Sequence, residues 1–240
     1  MNNSKVRVSE EQLQRLGEIP TPTLIDALWI KNWPQAYVQG ARPFQRGQRM
    51  AGRAVTLRFI PQRPDIASDK PKGIDSAEYV AFEMCGPSEI LVVSAVGPWE
   101  SIGGDIKFFR LAQRNVGGLV TDGSVRDSNT LREYGFPVYS HSTTSKQGPA
   151  LQQPWGVNEP ISCGGILVMP GDAIIGDDDG VAVVPASMAN DVLETALERE
   201  AVENVIKAEL QKTPQSPGKY YPFNDETWKL FEEYQRRGEE

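Results

Sequence analysis

The feature that most narrows the fold is the stretch 89–141, where short apolar segments alternate with amphipathic ones. EILVVSAV (89–96), GGLVTD (117–122) and FPVYSH (136–141) read as strands, and the first is apolar on both faces. Between them, residues 106–115 carry Phe108, Phe109, Leu111 and Ala112 at helical spacing, and residues 128–134 offer a second helix. Strand, helix, strand, helix, strand at this spacing implies parallel βαβ crossovers, which sets an α/β class.

The flanks fit around that centre. Residues 9–17 and 22–32 read as helices: Ser9 precedes Glu10 and Glu11, with Leu13 and Leu16 on one face, and Thr23 is placed to cap a turn carrying Leu24, Ile25, Ala27 and Leu28. AGRAVTLRFI (51–60) alternates as a strand, 61–73 is a Pro-, Asp- and Lys-rich surface loop, and 75–84 is helical. Beyond Gly148, apolar segments near 155–163, 166–169, 173–176 and 181–184 are separated by Gly, Pro and Asp. They predict an antiparallel or mixed β unit, with Asp178-Asp179-Gly180 as a tight turn.

A long helix follows from about Ser187 to Leu210, striped with Val192, Leu193, Ala196, Leu197, Val202, Val205 and Ile206. It extends over roughly 35 Å, longer than one small core needs, so its distal part is expected on a neighbouring subunit. The pattern breaks at TPQSPG (213–218), and NDETWKLFEEYQRR offers a last short helix with Trp228, Phe231 and Tyr234. The expected organisation is one α/β domain over 1–212 with a helical tail over 213–240.

Bulk properties exclude several functions. A net charge of −7 leaves no basic stripe to displace phosphate counterions, so nucleic-acid binding is not expected. Cys85 and Cys163 are the only cysteines and lie in no CxxC pair, which removes a cysteine zinc site and makes a disulfide improbable. The polar start MNNSKVRVSEEQ has no signal-peptide core, and no apolar run approaches the roughly 20 residues that span a bilayer, so a cytoplasmic enzyme or regulator is expected with no membrane partner. An acidic chain that binds an acidic substrate needs a local Arg, a metal ion or converging backbone amides.

Two loops supply such groups. Gly97-Pro98-Trp99-Glu100-Ser101-Ile102-Gly103-Gly104-Asp105 ends at a helix start, and Asp122-Gly123-Ser124-Val125-Arg126-Asp127-Ser128 follows the next strand. In an open α/β sheet ligands bind beyond the carboxyl ends of the strands, where loops like these face each other. Glycines admit a ligand close to the backbone, and free N–H groups at a helix start favour a carboxylate. Arg126 suits a carbonyl or enolate oxygen, while Asp127 and Asp105 are hard oxygen ligands for Mg²⁺ or Mn²⁺. A divalent ion chelated by a 2-oxo acid would stabilise the enolate of a retro-aldolase or a decarboxylase.

The pattern D-x20-R-D, with GG before Asp105 and DGxxRD around Asp127, resembles the metal-dependent 4-hydroxy-4-methyl-2-oxoglutarate aldolases and their RraA-like relatives. TPTLIDAL, GRAVTLRF and PGDAIIGDDDGVAVVP extend the resemblance over most of residues 20–200. It implies a three-layer swivelling β/β/α domain of the RraA-like type with a C-terminal helical extension. It further implies that Asp127 binds the metal, that Asp105 holds it or its waters, and that Arg126 stabilises the enolate. The substrate carboxylate would sit on the amides of Gly104, Ile106 and Lys107, in a homotrimer or homohexamer whose site lies at a subunit interface. A neighbour's glutamate is implied too, at no position the sequence identifies. Non-catalytic RraA-like relatives share the RD pair but generally lack the acid at Asp105.

The implied reaction is cleavage of a 4-hydroxy-2-oxo acid to pyruvate, with oxaloacetate decarboxylation beside it. A ribonuclease regulator, and another enolate lyase or dehydratase on sugar-derived 2-oxo acids, are the alternatives. Without its context an Arg-Asp pair fits a surface salt bridge or a helix cap. Asp177-Asp178-Asp179-Gly180 lacks the bidentate Glu of a calcium loop and reads as a solvated turn. His141 is the only histidine and is expected to be structural at a strand end, though any histidine base would have to be this one. Lys107 raises Schiff-base chemistry, which its acidic neighbour Asp105 disfavours. Cys163 is expected to be a buried small apolar residue. Trp99 and Phe108 serve equally as pocket walls or core.

Overall fold

A computed structural model describes residues 7–147 and 151–238. Helix α1 (Glu10–Glu18) opens on a capping box: Ser9 Oγ accepts the Gln12 N–H, and the Gln12 side chain accepts the Ser9 N–H. That reciprocal pair satisfies two donors that a helix start otherwise leaves open. Helix α2 (Thr21–Ile30) starts two residues before the predicted Thr23 cap, with Pro20 at the N-cap. Thr21 gives its hydroxyl and its N–H to the buried Asp177 carboxylate, at 2.7 and 2.8 Å. A distant acid, and no local cap, fixes the entry of this helix.

The strands are β1 (Arg42–Pro43), β2 (Met50–Pro61), β3 (Glu89–Ser94), β4 (Gly118–Thr121), β5 (Ser124–Val125), β6 (Val138–Ser140), β7 (Ser142–Thr143), β8 (Gln152–Val157), β9 (Ile161–Cys163), β10 (Ile166–Val168), β11 (Ala173–Asp177) and β12 (Gly180–Val184). The remaining helices are α3 (Pro64–Ala67), α4 (Ala77–Met84), α5 (Asp105–Gln113), α6 (Ser128–Tyr134), α7 (Ala189–Lys212) and α8 (Asp225–Gly238).

The main sheet runs β1-β6-β4-β3-β2-β11-β12, with β8 also on β2. The pairs β3–β4 and β4–β6 are parallel, as the alternation over 89–141 predicts, and β2–β3 is parallel as well. Strand alternation then sorts side chains to two faces. Val55, Leu57, Leu91, Val93 and Leu119 pack with Phe82, Phe108 and Leu131 of the helices. Ala54, Ile90, Val92 and Val120 face the other way, onto Ile161, Cys163, Ile166 and Val168 of the β9–β10 pair. Helices, main sheet and a small β pair form three layers.

Residues 36–44 nearly close the sheet. Val38 N–H bonds to Val181 of β12, while Arg42 pairs with Ser140 and Phe44 N–H bonds to Val138, both on β6. One segment thus touches both edges. The predicted segment 155–163 is in fact two strands, because Asn158 takes a left-handed φ of 55° and breaks the run between β8 and β9. Asp178 and Asp179 do form the tight turn joining β11 to β12. Both cysteines are free and buried; burial pushes Cys85 up to about 12 and Cys163 well above the ordinary thiol value, so both stay protonated.

The chain gathers into two compact units that divide between Leu193 and Glu194, inside α7, whereas the compositional break lies at 213–218. In the second unit Val202 and Ile206 of α7 are buried with Tyr220, and Leu210, Phe223, Leu230 and Phe231 pack against them. The distal half of the long helix therefore covers Val202 and Ile206 with the tail of its own chain. No helix among the described residues is long and apolar enough to cross a membrane.

Candidate active site

The loops after β3 and β4 are zipped together. Ser101 and Ser124 form a parallel bridge, Ser124 N–H bonds to Glu100 O at 2.9 Å, and Ile102 N–H bonds to Ser124 O at 3.0 Å. Arg126 N–H extends the ladder to Gly103 O at 3.0 Å. These bonds bring Gly104, Asp105, Arg126 and Asp127 to one place.

Gly104 occupies the N-cap of α5, directly against the RD pair. A Cβ built there would lie 2.3 Å from Asp127 Oδ2 and 2.5 Å from Arg126 Cγ. Only a glycine fits under these side chains. Asp127 is held in a left-handed conformation, φ 58°, and caps α6 through its carbonyl without using its carboxylate there. Its Oδ2 instead accepts the Asp105 N–H at 3.1 Å and lies 3.4 Å from Arg126 Nε. A carboxylate at the start of α5 is where the helix dipole favours negative charge.

Asp105 is oriented by a residue that sequence reasoning missed. Tyr134, on the last turn of α6, donates its phenol hydrogen to Asp105 Oδ1. That bond, helped by burial and by the negative charge of Asp105, pushes the phenol up to about 12. Phe109 packs against the same ring, with centroids 5.8 Å apart. The only available signal was Tyr134 falling two helical turns after the RD pair. Lys107 turns away to Glu78, Nζ–Oε2 2.6 Å, on α4, and the Ile106 side chain points to solvent. Their backbone N–H groups lie in the first turn of α5, where no helix carbonyl can reach them.

The other singled-out residues lie elsewhere. Phe108 is a fully buried core residue that packs against Gly103 and Phe82. Trp99 is 61% exposed and stands edge-on to His141 at 5.0 Å. His141 lines a cavity of about 440 Å³ together with Asp122, Gly97 and Gly164. Asp122 accepts the N–H groups of Ala95 and Gly164, and burial pushes its carboxyl above the ordinary value. In the acidic turn, Asp177 holds Thr21 and Asp179, and Asp178 holds Gly47, so these carboxylates serve the backbone.

A divalent ion would find two acids of this chain here, Asp127 and Asp105. Among the described residues no group of three or more His, Cys, Asp and Glu gathers at one point. That donor set fits Mg²⁺ or Mn²⁺, which keep several waters and take one or two carboxylates plus substrate oxygens. It does not fit a closed zinc cage.

The sequence profile described as "RraA-like: Aldolase/RraA" matches residues 21–183 of the chain. A protein of Halalkalibacterium halodurans named "Putative 4-hydroxy-4-methyl-2-oxoglutarate aldolase" is 30% identical over 188 residues, covering 76% of this chain and 80% of that protein. A protein of the same name from Deinococcus radiodurans is 28% identical over 173 residues, covering 70% and 96%. Among solved structures, Streptomyces coelicolor RraAS2, described as an unusual member of the RNase ES inhibitor RraA protein family, superposes with a TM-score of 0.77 at 29% identity. It covers 85% of this chain and 100% of its own.

Proposed function

Because the chain belongs to the RraA-like family, we propose that it is a divalent-metal-dependent lyase. In this reading it cleaves a 4-hydroxy-2-oxo acid, of the 4-hydroxy-4-methyl-2-oxoglutarate type, to pyruvate and decarboxylates oxaloacetate through the same enolate. The observation that carries the reading is the junction at Gly104, where the Asp127 carboxylate, the stem of the Arg126 side chain and the start of α5 meet without room for a Cβ.

Asp127 would hold the metal and Asp105 its waters. When bound, the ion supplies Lewis-acid polarisation of the keto oxygen. The substrate carboxylate sits on the free amides of Gly104, Ile106 and Lys107, where the helix start favours an anion. Cleavage sends the C3–C4 electron pair toward the keto group, and Arg126 bonds the oxygen on which that charge develops. The 4-hydroxyl proton leaves as the carbonyl product forms, and C3 later takes a proton to give pyruvate. Asp105, steadied by Tyr134, is this chain's titratable group for such transfers. A homotrimer or homohexamer in which a neighbour's glutamate completes the acid–base pair belongs to the same reading.

The ion pair of Lys107 with Glu78 weighs against a Schiff base, which needs a neutral, desolvated amine. The likeness to RraAS2 supports a second reading, a regulator of a ribonuclease. The acid at Asp105, which non-catalytic relatives generally lack, favours the enzyme. Pyruvate release from 4-hydroxy-4-methyl-2-oxoglutarate and oxaloacetate, with Mg²⁺, with EDTA and in Asp127→Ala, tests the proposal. Activity should need Mg²⁺ or Mn²⁺ and vanish in the variant. Turnover that survives EDTA would sink the metal mechanism, and no turnover of any 2-oxo acid beside tight ribonuclease binding would favour the regulator.

A further inference from the structure

Away from the two catalytic loops, a cavity of about 490 Å³ lies between the 61–76 segment, α4 and β8. None of its lining residues belongs to 97–105 or 122–127. Its walls are largely apolar, with Val80 on α4 and Trp155 and Val157 on β8. Two side-chain hydrogen-bond donors interrupt them. Gln153 is only 8% exposed, and its Nε2 is buried with no hydrogen-bond partner. A buried amide donor left unpaired bears its full desolvation cost, so a turn of the Gln153 side chain toward an acceptor in the cavity would be favourable. Lys70 lies with Nζ 3.6 Å from the centroid of the Trp155 ring and donates to the Pro154 carbonyl. An ammonium has three donors, so others remain for a ligand.

We propose that this cavity binds a small monocarboxylic acid with an apolar body. Its carboxylate is taken by the Lys70 ammonium and the Gln153 Nε2–H, and its hydrocarbon part packs on Trp155, Val80 and Val157. A site of two donors, one of them cationic, in an apolar cavity of this size has the form of a small-molecule pocket. Burial and the nearby Arg58 push Lys70 down to about 8, a cost that a bound carboxylate would relieve. Asp69 and Asp75 also line the cavity; both are exposed, so solvent screens their repulsion of one carboxylate, and a ligand with two would meet more of it.

Benzoate serves as the probe, titrated calorimetrically near pH 7 into the full chain with EDTA present. Benzyl alcohol and phthalate are the neutral and dianionic controls, and Lys70→Met, Gln153→Leu and Arg126→Ala are the variants. Benzoate should saturate one site per chain, with both controls at least about tenfold weaker. Lys70→Met and Gln153→Leu should each weaken benzoate by about tenfold or more, and Arg126→Ala should leave it unchanged. Lys70 lies in a surface segment, so its variant keeps the test valid even where Gln153→Leu misfolds. No saturable binding in the millimolar range would overturn the proposal. So would benzoate binding that survives Lys70→Met or is lost in Arg126→Ala. Because Arg126 is read separately, failure here is distinct from failure of the lyase reading.

Discussion

The Asp127 carboxylate accepts the backbone N–H of Asp105 at 3.1 Å, although the two residues stand 22 apart in sequence. This bond ties the loop after β4 to the start of α5 and gives the two carboxylates different partners. Asp127 is fixed by a backbone amide and by the Arg126 guanidinium, while the Asp105 side chain is fixed by the Tyr134 phenol, so the two are held in unlike ways.

Gly104→Ala should damage the site without unfolding the chain. The added methyl would meet Asp127 Oδ2 at 2.3 Å, so the RD pair must move by most of an ångström. A shift of that size costs on the order of 10²-fold in rate. Overpacking beside a half-exposed loop should cost about 1–3 kcal/mol in stability. Pyruvate release and a thermal melt on the same sample check both, and near-native activity would contradict the arrangement.

Arg126→Lys should fail despite keeping the charge. The Arg126 guanidinium has its Nε side occupied near Asp127 and other donors left for a substrate oxygen, whereas an ammonium is a single point charge on a shorter reach. Loss of such a donor to a developing oxyanion costs about 10²–10³-fold in kcat. The expected pattern is a fall in kcat with the melting temperature unchanged. A change confined to KM would mean that Arg126 binds substrate without assisting the chemistry.

Much of this site was legible in the sequence because it is local. Glycines, an acid at a helix start and an Arg-Asp pair after consecutive buried strands needed only the alternation of 89–141 to be set face to face. What stayed hidden depends on contacts remote in sequence. Thr21 is anchored by Asp177, which no local rule reveals, so the sequence alone points to Thr23 as the cap. Tyr134 meets Asp105 only because α6 packs beside α5. The closure by residues 36–44 rests on a few bridges with no periodic pattern to read. The distal stripe of α7 was visible, but its partner, the tail around Tyr220 and Phe223, was not.

Tyr134→Phe should separate positioning from folding. The variant removes the hydrogen bond that orients Asp105, and a fall of about tenfold in kcat is expected from one lost hydrogen bond to an acid. The phenol is pushed up to about 12, above its ordinary value near 10. Stability linked to this hydroxyl is therefore whole below the ordinary value and is lost as pH rises through the folded one. Burial holds the Tyr139 phenol above its ordinary value too, so ultraviolet difference titration should show one late-ionising phenol fewer in the variant than in the wild type. An equal number of late phenols in the two proteins would remove the Tyr134–Asp105 bond from the argument.

Asp122→Asn tests the acid that supports the loop after β3. Its two carboxylate oxygens accept from Ala95 N–H at 2.8 Å and Gly164 N–H at 2.9 Å. An amide has one acceptor oxygen, so one of these N–H groups would face an NH₂ and lose its partner, at about 1–3 kcal/mol. Burial holds the Asp122 carboxyl above the ordinary carboxylate value. The stability linked to its protonation is thus whole below that ordinary value and declines as pH rises through the folded one. Since the amide does not titrate, the variant's deficit should be largest in acid and shrink toward neutral pH. Denaturant unfolding of both proteins at the two ends of that range reads the difference, and a deficit that grew with pH would mean that the carboxylate is the stabilising form.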